Sequence, residues 1–179
     1  AGKDVSVVIW TTTPWTLPAN LAIALHPDFE YAAVETGDGQ VLILARELVD
    51  ACMQTFGIAD YRIIADFAAR DLENRRCSHP FYDRDSLIIL GDHVTLEAGT
   101  GCVHTAPGHG EEDYHTGMAH DLDIYAPVDD AGRFTDEVPE GEWRWIDDTP
   151  GIWQDLSKCI ECGLCAEACG EAGQQQYAI

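Results

Sequence analysis

Lysine is nearly absent. The 179-residue chain has two, Lys3 and Lys158, and ten basic residues in all, against 32 Asp and Glu, for a formal net charge of −22 at pH 7. Binding to a phosphate backbone rests on Lys and Arg displacing counterions, so this balance argues against a general DNA- or RNA-binding protein. Long apolar runs are missing as well. The best, Val5–Trp10 and Leu21–Leu25, fall far short of the roughly 18 to 20 residues that a membrane helix needs. No basic-then-apolar N-terminal segment reads as a signal peptide, so the expected location is the cytoplasm. Histidines are scattered, at His93, His104, His109, His115 and His120 among others. None forms H-E-x-x-H, which argues against a zinc hydrolase.

Apolar residues are plentiful at 46% of the chain, enough to build the core of one ordinary domain with a small appendage and to exclude a wholly disordered chain. The acidity has two readings. It can serve solubility, or it can suit a salt-rich cytoplasm, where a Debye length of about 3 Å at 1 M salt screens self-repulsion.

The composition divides near residue 140. Residues 1–140 carry Cys52, Cys77 and Cys102, while residues 141–179 carry Cys159, Cys162, Cys165 and Cys169 with Trp143, Trp145 and Trp153. In the first part, Val5–Trp10 reads as a buried strand. Pro14 and Pro18 forbid a regular helix through Thr11–Pro18. Tyr31–Glu35 and Gln40–Ala45 flank Thr36-Gly37-Asp38-Gly39 as a hairpin. Arg46–Phe56 has a helical apolar face closed by Gly57. Tyr61–Ile64, Leu87–Leu90 and Val103–Thr105 read as strands, and Glu111–His120 as a helix with acids in its first turn. Interleaved helices and hairpin-linked strands predict a mixed α/β (α+β) fold, a barrel-like mixed sheet with surrounding helices, plus a cysteine-rich tail.

Two loops carry candidate chemistry. The first is Trp10-Thr11-Thr12-Thr13-Pro14-Trp15-Thr16-Leu17-Pro18-Ala19-Asn20, with four hydroxyls between Thr11 and Thr16. Such a loop can hold a sugar hydroxyl, a carbonyl or a water, or can simply cap its own backbone. The second is Gly99-Thr100-Gly101-Cys102-Val103-His104-Thr105-Ala106-Pro107-Gly108-His109-Gly110-Glu111-Glu112-Asp113-Tyr114. His104, His109 and Asp113 can converge at its helix start. Imidazole shuttles protons near neutral pH, and a carboxylate grips an ammonium group. Equally, His104 suits a buried core position, and Asp113 a helix N-terminus.

Together, Thr11–Asn20 and Gly99–Tyr114 resemble the two signature peptides of the editing domain of isoleucyl-tRNA synthetases, the insertion often called connective peptide 1. The resemblance runs from about Val5 to Pro139. Thr13-Pro14-Trp15 favours the isoleucyl over the valyl and leucyl members. It implies hydrolysis of valine from mischarged tRNA(Ile). One methylene offers only about 1–3 kcal/mol of discrimination, a figure established on synthetases of this kind, so a second sieve must remove the error. The resemblance also implies roles. Thr11, Thr12 and Thr13 line the site around the terminal adenosine and the scissile ester. Thr16 lines it and helps set water geometry, while Trp15 walls the pocket. Asn20 contacts the terminal nucleotide, and Asp113 binds the α-ammonium group. His104 borders the side-chain pocket to exclude isoleucine, and His109 belongs to the same wall. The implied partners are the tRNA(Ile) 3′ end carrying valine and the remainder of a synthetase, with no membrane and no DNA. No cofactor is implied for the hydrolysis. Neither a HIGH-like nor a KMSKS-like segment is present, so aminoacylation is not expected of this chain alone. The chain starts just before a strand, so upstream strands of the domain are expected to lie outside it.

Cys159, Cys162, Cys165 and Cys169 follow C-x2-C-x2-C-x3-C, the bacterial ferredoxin spacing. With Asp155–Lys158 before it, the run resembles iron–sulfur segments of formate dehydrogenase-like oxidoreductases. A 4Fe-4S cluster or zinc is the implied ligand. Gly170 stands where a proline usually follows, and no second run supplies further ligands. An iron–sulfur or zinc module on an inactive editing-like scaffold is therefore the alternative reading.

Overall fold

The computed structural model describes residues 5–80, 82–129 and 133–138. The cysteine tail and the expected boundary near residue 140 lie outside the described residues.

Two four-stranded mixed sheets form the body. The first has the order β1 (Val5–Val7), β4 (Val41–Ala45), β3 (Glu30–Thr36) and β5 (Tyr61–Ala68). Here β1 is parallel to β4, and the other pairs are antiparallel. The second has the order β6 (Arg76–Ser78), β7 (Asp85–Leu90), β2 (Ala22–Leu25) and β8 (Cys102–Thr105). Its β2 is parallel to β7 and antiparallel to β8. The mixed sheets are as the sequence predicts, but they remain two sheets and do not close into a barrel.

The predicted hairpin is β3–β4, turning at Thr36–Gly39. There the Thr36 hydroxyl donates to Asp38, and Gly39 N donates to Thr36 O at 2.9 Å. The predicted helix after it starts as a 3-10 turn, Arg46–Leu48, and continues as α1, Val49–Phe56, ending at a left-handed Gly57. Val49, Cys52 and Met53 of α1 seal against Val34 and Leu44 of the first sheet, all fully buried. A second cluster, including Ile9, Leu17, Ile23, Leu25, Tyr31 and Ile88, draws on both sheets. Strand β5 is longer than its apolar run suggested. It pairs along β3 through a register shift at Ala33/Val34. Two short helices complete the described fold: α2, Ala69–Leu72, and α3, Glu111–Ala119.

The apolar run at the start is not one strand. Val5–Val7 pairs with β4, and Val8 N still donates to Ile43 O at 3.0 Å. The chain then bends into the second sheet. Trp10 forms a parallel bridge to Val103, donating to Cys102 O at 2.8 Å and accepting from His104 N at 3.0 Å. Apolar side chains suit either sheet, so composition alone could not place the crossing.

That crossing positions everything that follows. Trp10 lies on one side of β8. On the other, Ala22 of β2 pairs with Thr105, and Leu21 N donates to Thr105 O at 3.1 Å. Residues 11–21 therefore arch over the C-terminal end of β8. The two loops singled out by sequence emerge at the same end of the same strand.

Candidate functional site

The arch is not a free loop. Pro14–Ala19 winds as a 3-10 helix. Pro14 sits at its start, where no amide hydrogen is needed, and the prolines preclude a longer α-helix. Thr13 N donates to Thr11 Oγ1 at 3.0 Å, and Thr16 N donates to Thr13 O at 3.0 Å. Thr11 and Thr16 are buried, Thr13 is half-buried and Thr12 is exposed. The Thr12 and Thr13 hydroxyls stand 3.4 Å apart, so that pair is the part of the run that meets solvent.

His104, on β8, is the hub beneath the arch. It is 4% exposed. Its Nε2 lies 2.9 Å from Thr16 Oγ1, and its Nδ1 lies 2.7 Å from Asn20 Nδ2. The protons of this network have one arrangement. The Thr16 hydroxyl donates to the Thr13 carbonyl at 2.8 Å, so its oxygen accepts from His104 Nε2–H. The Asn20 amide donates to Ala22 O at 2.9 Å and to His104 Nδ1. Its oxygen accepts from the Ser86 hydroxyl on β7. Two backbone carbonyls, which can only accept, thus dictate every donor between them. Burial, with His79 and His109 nearby, pushes the His104 pKa down to about 3. The ring is neutral at ordinary pH, both nitrogens are engaged, and only its carbon edges and faces remain for any other contact. That is the chemistry of a wall, not of a proton shuttle.

Asp113 lies in the first turn of α3. Its Oδ2 accepts from Ala106 N at 2.8 Å, tying the helix to the end of β8. Burial raises its pKa, partly offset by this hydrogen bond and by His93. A half-buried carboxylate of this kind favours a bound cation, which would offset the desolvation. His109 packs edge-on to Trp15 with ring centroids 5.2 Å apart, and Phe134 adds a second edge contact at 6.5 Å. Burial lowers the His109 pKa as well. The two loops thus meet at Thr16–His104 and again at Trp15–His109.

Two braces of the arch were not legible in the sequence. His79 Nδ1 accepts from Tyr82 N at 3.3 Å, so its Nε2–H donates to Leu17 O at 3.0 Å. Burial pushes its pKa down to about 4. Arg84 donates to Pro18 O, and its guanidinium lies 5.0 Å from the ring centres of both Tyr82 and Tyr125. Ser86 is the third unpredicted member. The only available signal was a hydroxyl between Asp85 and the apolar run Leu87–Leu90, since a hydroxyl buried at the start of a strand requires a partner.

Two glycines give the second loop its shape. Gly99 and Gly101 adopt φ of 83° and 74°. A Cβ at Gly99 would meet Trp10 Cγ at 2.5 Å, and one at Gly101 would meet Ala45 Cβ at 2.4 Å. The Gly101 carbonyl accepts from the buried Tyr31 hydroxyl at 2.6 Å, which joins the turn to the first sheet. Behind the arch lies a cavity of about 620 Å³, lined by Ile9, Leu17, Asn20, His79, Ser86 and Ile88 among others. Among the described residues no group of three His, Cys, Asp or Glu is placed to hold a metal ion, and no helix is long and apolar enough to cross a membrane.

Comparison with known proteins accords with this geometry. The chain is 59% identical over 138 residues to the isoleucine–tRNA ligase of Syntrophotalea carbinolica, covering 77% of this chain and 15% of that protein. It is 62% identical over 134 residues to that of Geobacter sulfurreducens, covering 75% and 14%. The chain therefore spans about one-seventh of the length of these curated relatives. Among solved structures, GlLeuRS-CP1 superimposes with a TM-score of 0.57 at 18% identity, covering 69% of this chain and 54% of that one. The Plasmodium falciparum cytosolic leucyl-tRNA synthetase editing domain superimposes with 0.56 at 11% identity, covering 92% and 67%. Residues 152–171 match the 4Fe-4S binding domain family. Over most of its length the chain is homologous to isoleucine–tRNA ligases, and it has the fold of the leucyl-tRNA synthetase editing domains.

Proposed function

We propose that this chain carries the post-transfer editing site of an isoleucyl-tRNA synthetase and hydrolyses the ester of Val-tRNA(Ile). The observation that carries the reading is the junction of the two loops. A solvent-facing Thr12–Thr13 pair stands on an arch bolted to His104, on the same strand end as the half-buried Asp113. An aminoacyl ester always presents an α-ammonium group, and the half-buried carboxylate of Asp113 is the group we assign to bind it, a role its burial supports. The ester is already activated, so a positioned water and donors for the developing oxyanion suffice, with no covalent intermediate. Thr11, Thr12, Thr13 and Thr16 supply hydroxyls and loop shape for that task. Trp15, His104 and His109 form the apolar wall against which isoleucine is refused, and Asn20 supports it from beneath. The tRNA 3′ end enters from the rest of a synthetase, which supplies the basic surface that a chain of net charge −22 lacks. A cytoplasmic location goes with this reading.

The test is deacylation of Val-tRNA(Ile) and Ile-tRNA(Ile) by the purified chain at low and high salt, beside Thr12→Ala and Asp113→Ala. Valine is expected to be released selectively, with each variant slowed at least about tenfold, the loss expected for one charged contact. Equal release of both amino acids, or full activity of Asp113→Ala, would defeat the assignment.

A second reading concerns the tail alone. The 4Fe-4S family match over residues 152–171 favours metal binding there. Four thiolates at Cys159, Cys162, Cys165 and Cys169 are the right donors for iron–sulfur or zinc chemistry. Cys52 and Cys102 are not such donors, since burial pushes their thiol pKa values upward. When bound, a cluster would supply one-electron transfer, and zinc would supply a structural staple. Absorbance near 400 nm after anaerobic reconstitution, lost when the four cysteines are changed to Ser, is the expected result. Colourless, metal-free protein would remove this reading and leave the first untouched.

A further inference from the structure

Asn20 and His104 are buried polar groups whose satisfaction depends on a residue outside both loops. Ser86 lies on β7, sixty-six residues from Asn20, and is 2% exposed. Its hydroxyl gives the only hydrogen bond to Asn20 Oδ1 seen among the described residues. The remaining Asn20 protons are committed to Ala22 O and His104 Nδ1, and the proton of His104 Nε2 to Thr16. The Thr16 proton in turn is committed to the Thr13 carbonyl. The series therefore starts at Ser86 and ends on the backbone of the threonine run.

We propose that Ser86 is a positioning residue: by satisfying the Asn20 amide oxygen, it holds the amide where it fixes His104 as the Nε2–H tautomer, and so holds both the ring and the Thr13 carbonyl in the geometry that discriminates valine from isoleucine. The selectivity part rests on the editing reading above. The tautomer part stands on the structure alone.

The physical basis is the asymmetry of a buried hydrogen bond. Removing the donor leaves Asn20 Oδ1 buried without a partner, which costs more than the bond itself contributed. The amide then turns toward the cavity behind it, which Asn20 and Ser86 both line, to recruit a water. Its grip on Nδ1 weakens, and of the two partners that confine the imidazole proton to Nε2 only Thr16 is left, which no longer suffices to exclude the other tautomer. A ring that reorients is a softer wall. Since one methylene separates the two amino acids, a softened wall erodes selectivity before it erodes rate.

The cavity gives room for an isosteric comparison of Ser86→Thr with Ser86→Val, which differ by a hydroxyl against a methyl. Histidine 15N chemical shifts of the full chain report the tautomer. Parallel deacylation of Val-tRNA(Ile) and Ile-tRNA(Ile) reports selectivity. Wild type and Ser86→Thr are expected to show one Nε2–H tautomer at His104. Ser86→Val is expected to show averaged nitrogen shifts and about a tenfold fall in the valine-to-isoleucine ratio, the equivalent of one buried hydrogen bond. Ser86→Ala makes the same comparison if the valine variant does not fold. A single unchanged tautomer in the hydroxyl-free variant would overturn the proposal, whatever the activity. A changed tautomer with unchanged selectivity would overturn its functional half. Absence of deacylation by wild type would count against the editing reading, while the nitrogen shifts still decide the role of Ser86.

Discussion

Acidification from pH 7 to pH 5 should weaken this fold through two histidines buried almost completely from solvent. His79 and His104 are 5% and 4% exposed, and burial holds their pKa values at about 4 and about 3. In the unfolded chain both titrate near 6.5. Between these limits the unfolded state binds more protons, so stability rises with pH. The contribution is complete above about pH 6.5 and is lost as pH falls. At pH 7 both rings are neutral in either state. At pH 5 the unfolded rings are almost fully protonated and the folded rings are not. The difference is about 2 kcal/mol per ring, or about 4 kcal/mol for the pair. His109, also held below its ordinary value by burial, acts in the same direction. Urea unfolding followed by far-UV circular dichroism at the two pH values measures the effect. With a slope of about 2 kcal/mol per molar urea, the midpoint should fall by about 2 M. The experiment is done in 1 M KCl, so that relief of acidic self-repulsion does not mask the loss. His79→Gln, which keeps a donor for Leu17 O, should halve the shift. Equal midpoints at pH 7 and pH 5, or a shift unchanged by His79→Gln, would refute the reasoning.

Other consequences are open to direct measurement. Tyr31→Phe removes the donor to Gly101 O and the acceptor for His26 N at 3.0 Å; it should cost about 1–3 kcal/mol, read as a fall in Tm of roughly 3–10 °C. Gly101→Ala meets both the left-handed backbone and the Ala45 contact at 2.4 Å; a loss of more than about 2 kcal/mol is expected in urea unfolding. Trp15→Ala strips the edge contacts with His109 and Phe134; release of isoleucine should rise relative to valine in the deacylation assay, with little change in circular dichroism.

Much of the scaffold was written locally. The β3–β4 hairpin needed only its turn residues. Helix α1 needed only its apolar stripe and Gly57, and α3 showed its acids in the first turn. The two loops were visible because their residues are contiguous and unusual. What escaped was the pairing between distant segments. The bend at Val8–Trp10 follows from which strand each residue finds, and apolar side chains do not say. His79, Arg84 and Ser86 act on loop residues more than sixty positions away. Nothing in their own neighbourhood reveals a partner. His104 looked like either a core residue or a wall, and the geometry makes it both: buried by its hydrogen bonds, and limited by them to presenting carbon.

The arch over β8 also sets a timetable. Its first anchor, Trp10, and its hub partners, Thr16 and Asn20, are synthesised early, whereas Cys102, Val103 and His104 come more than eighty residues later. During synthesis the threonine run must wait for its partner on β8, the last strand of the second sheet to emerge from the ribosome. No nascent chain that stops short of β8 can own a site. Until then Thr16 and Asn20 lack the imidazole that holds them, so the arch takes its shape only once nearly the whole described body has been made.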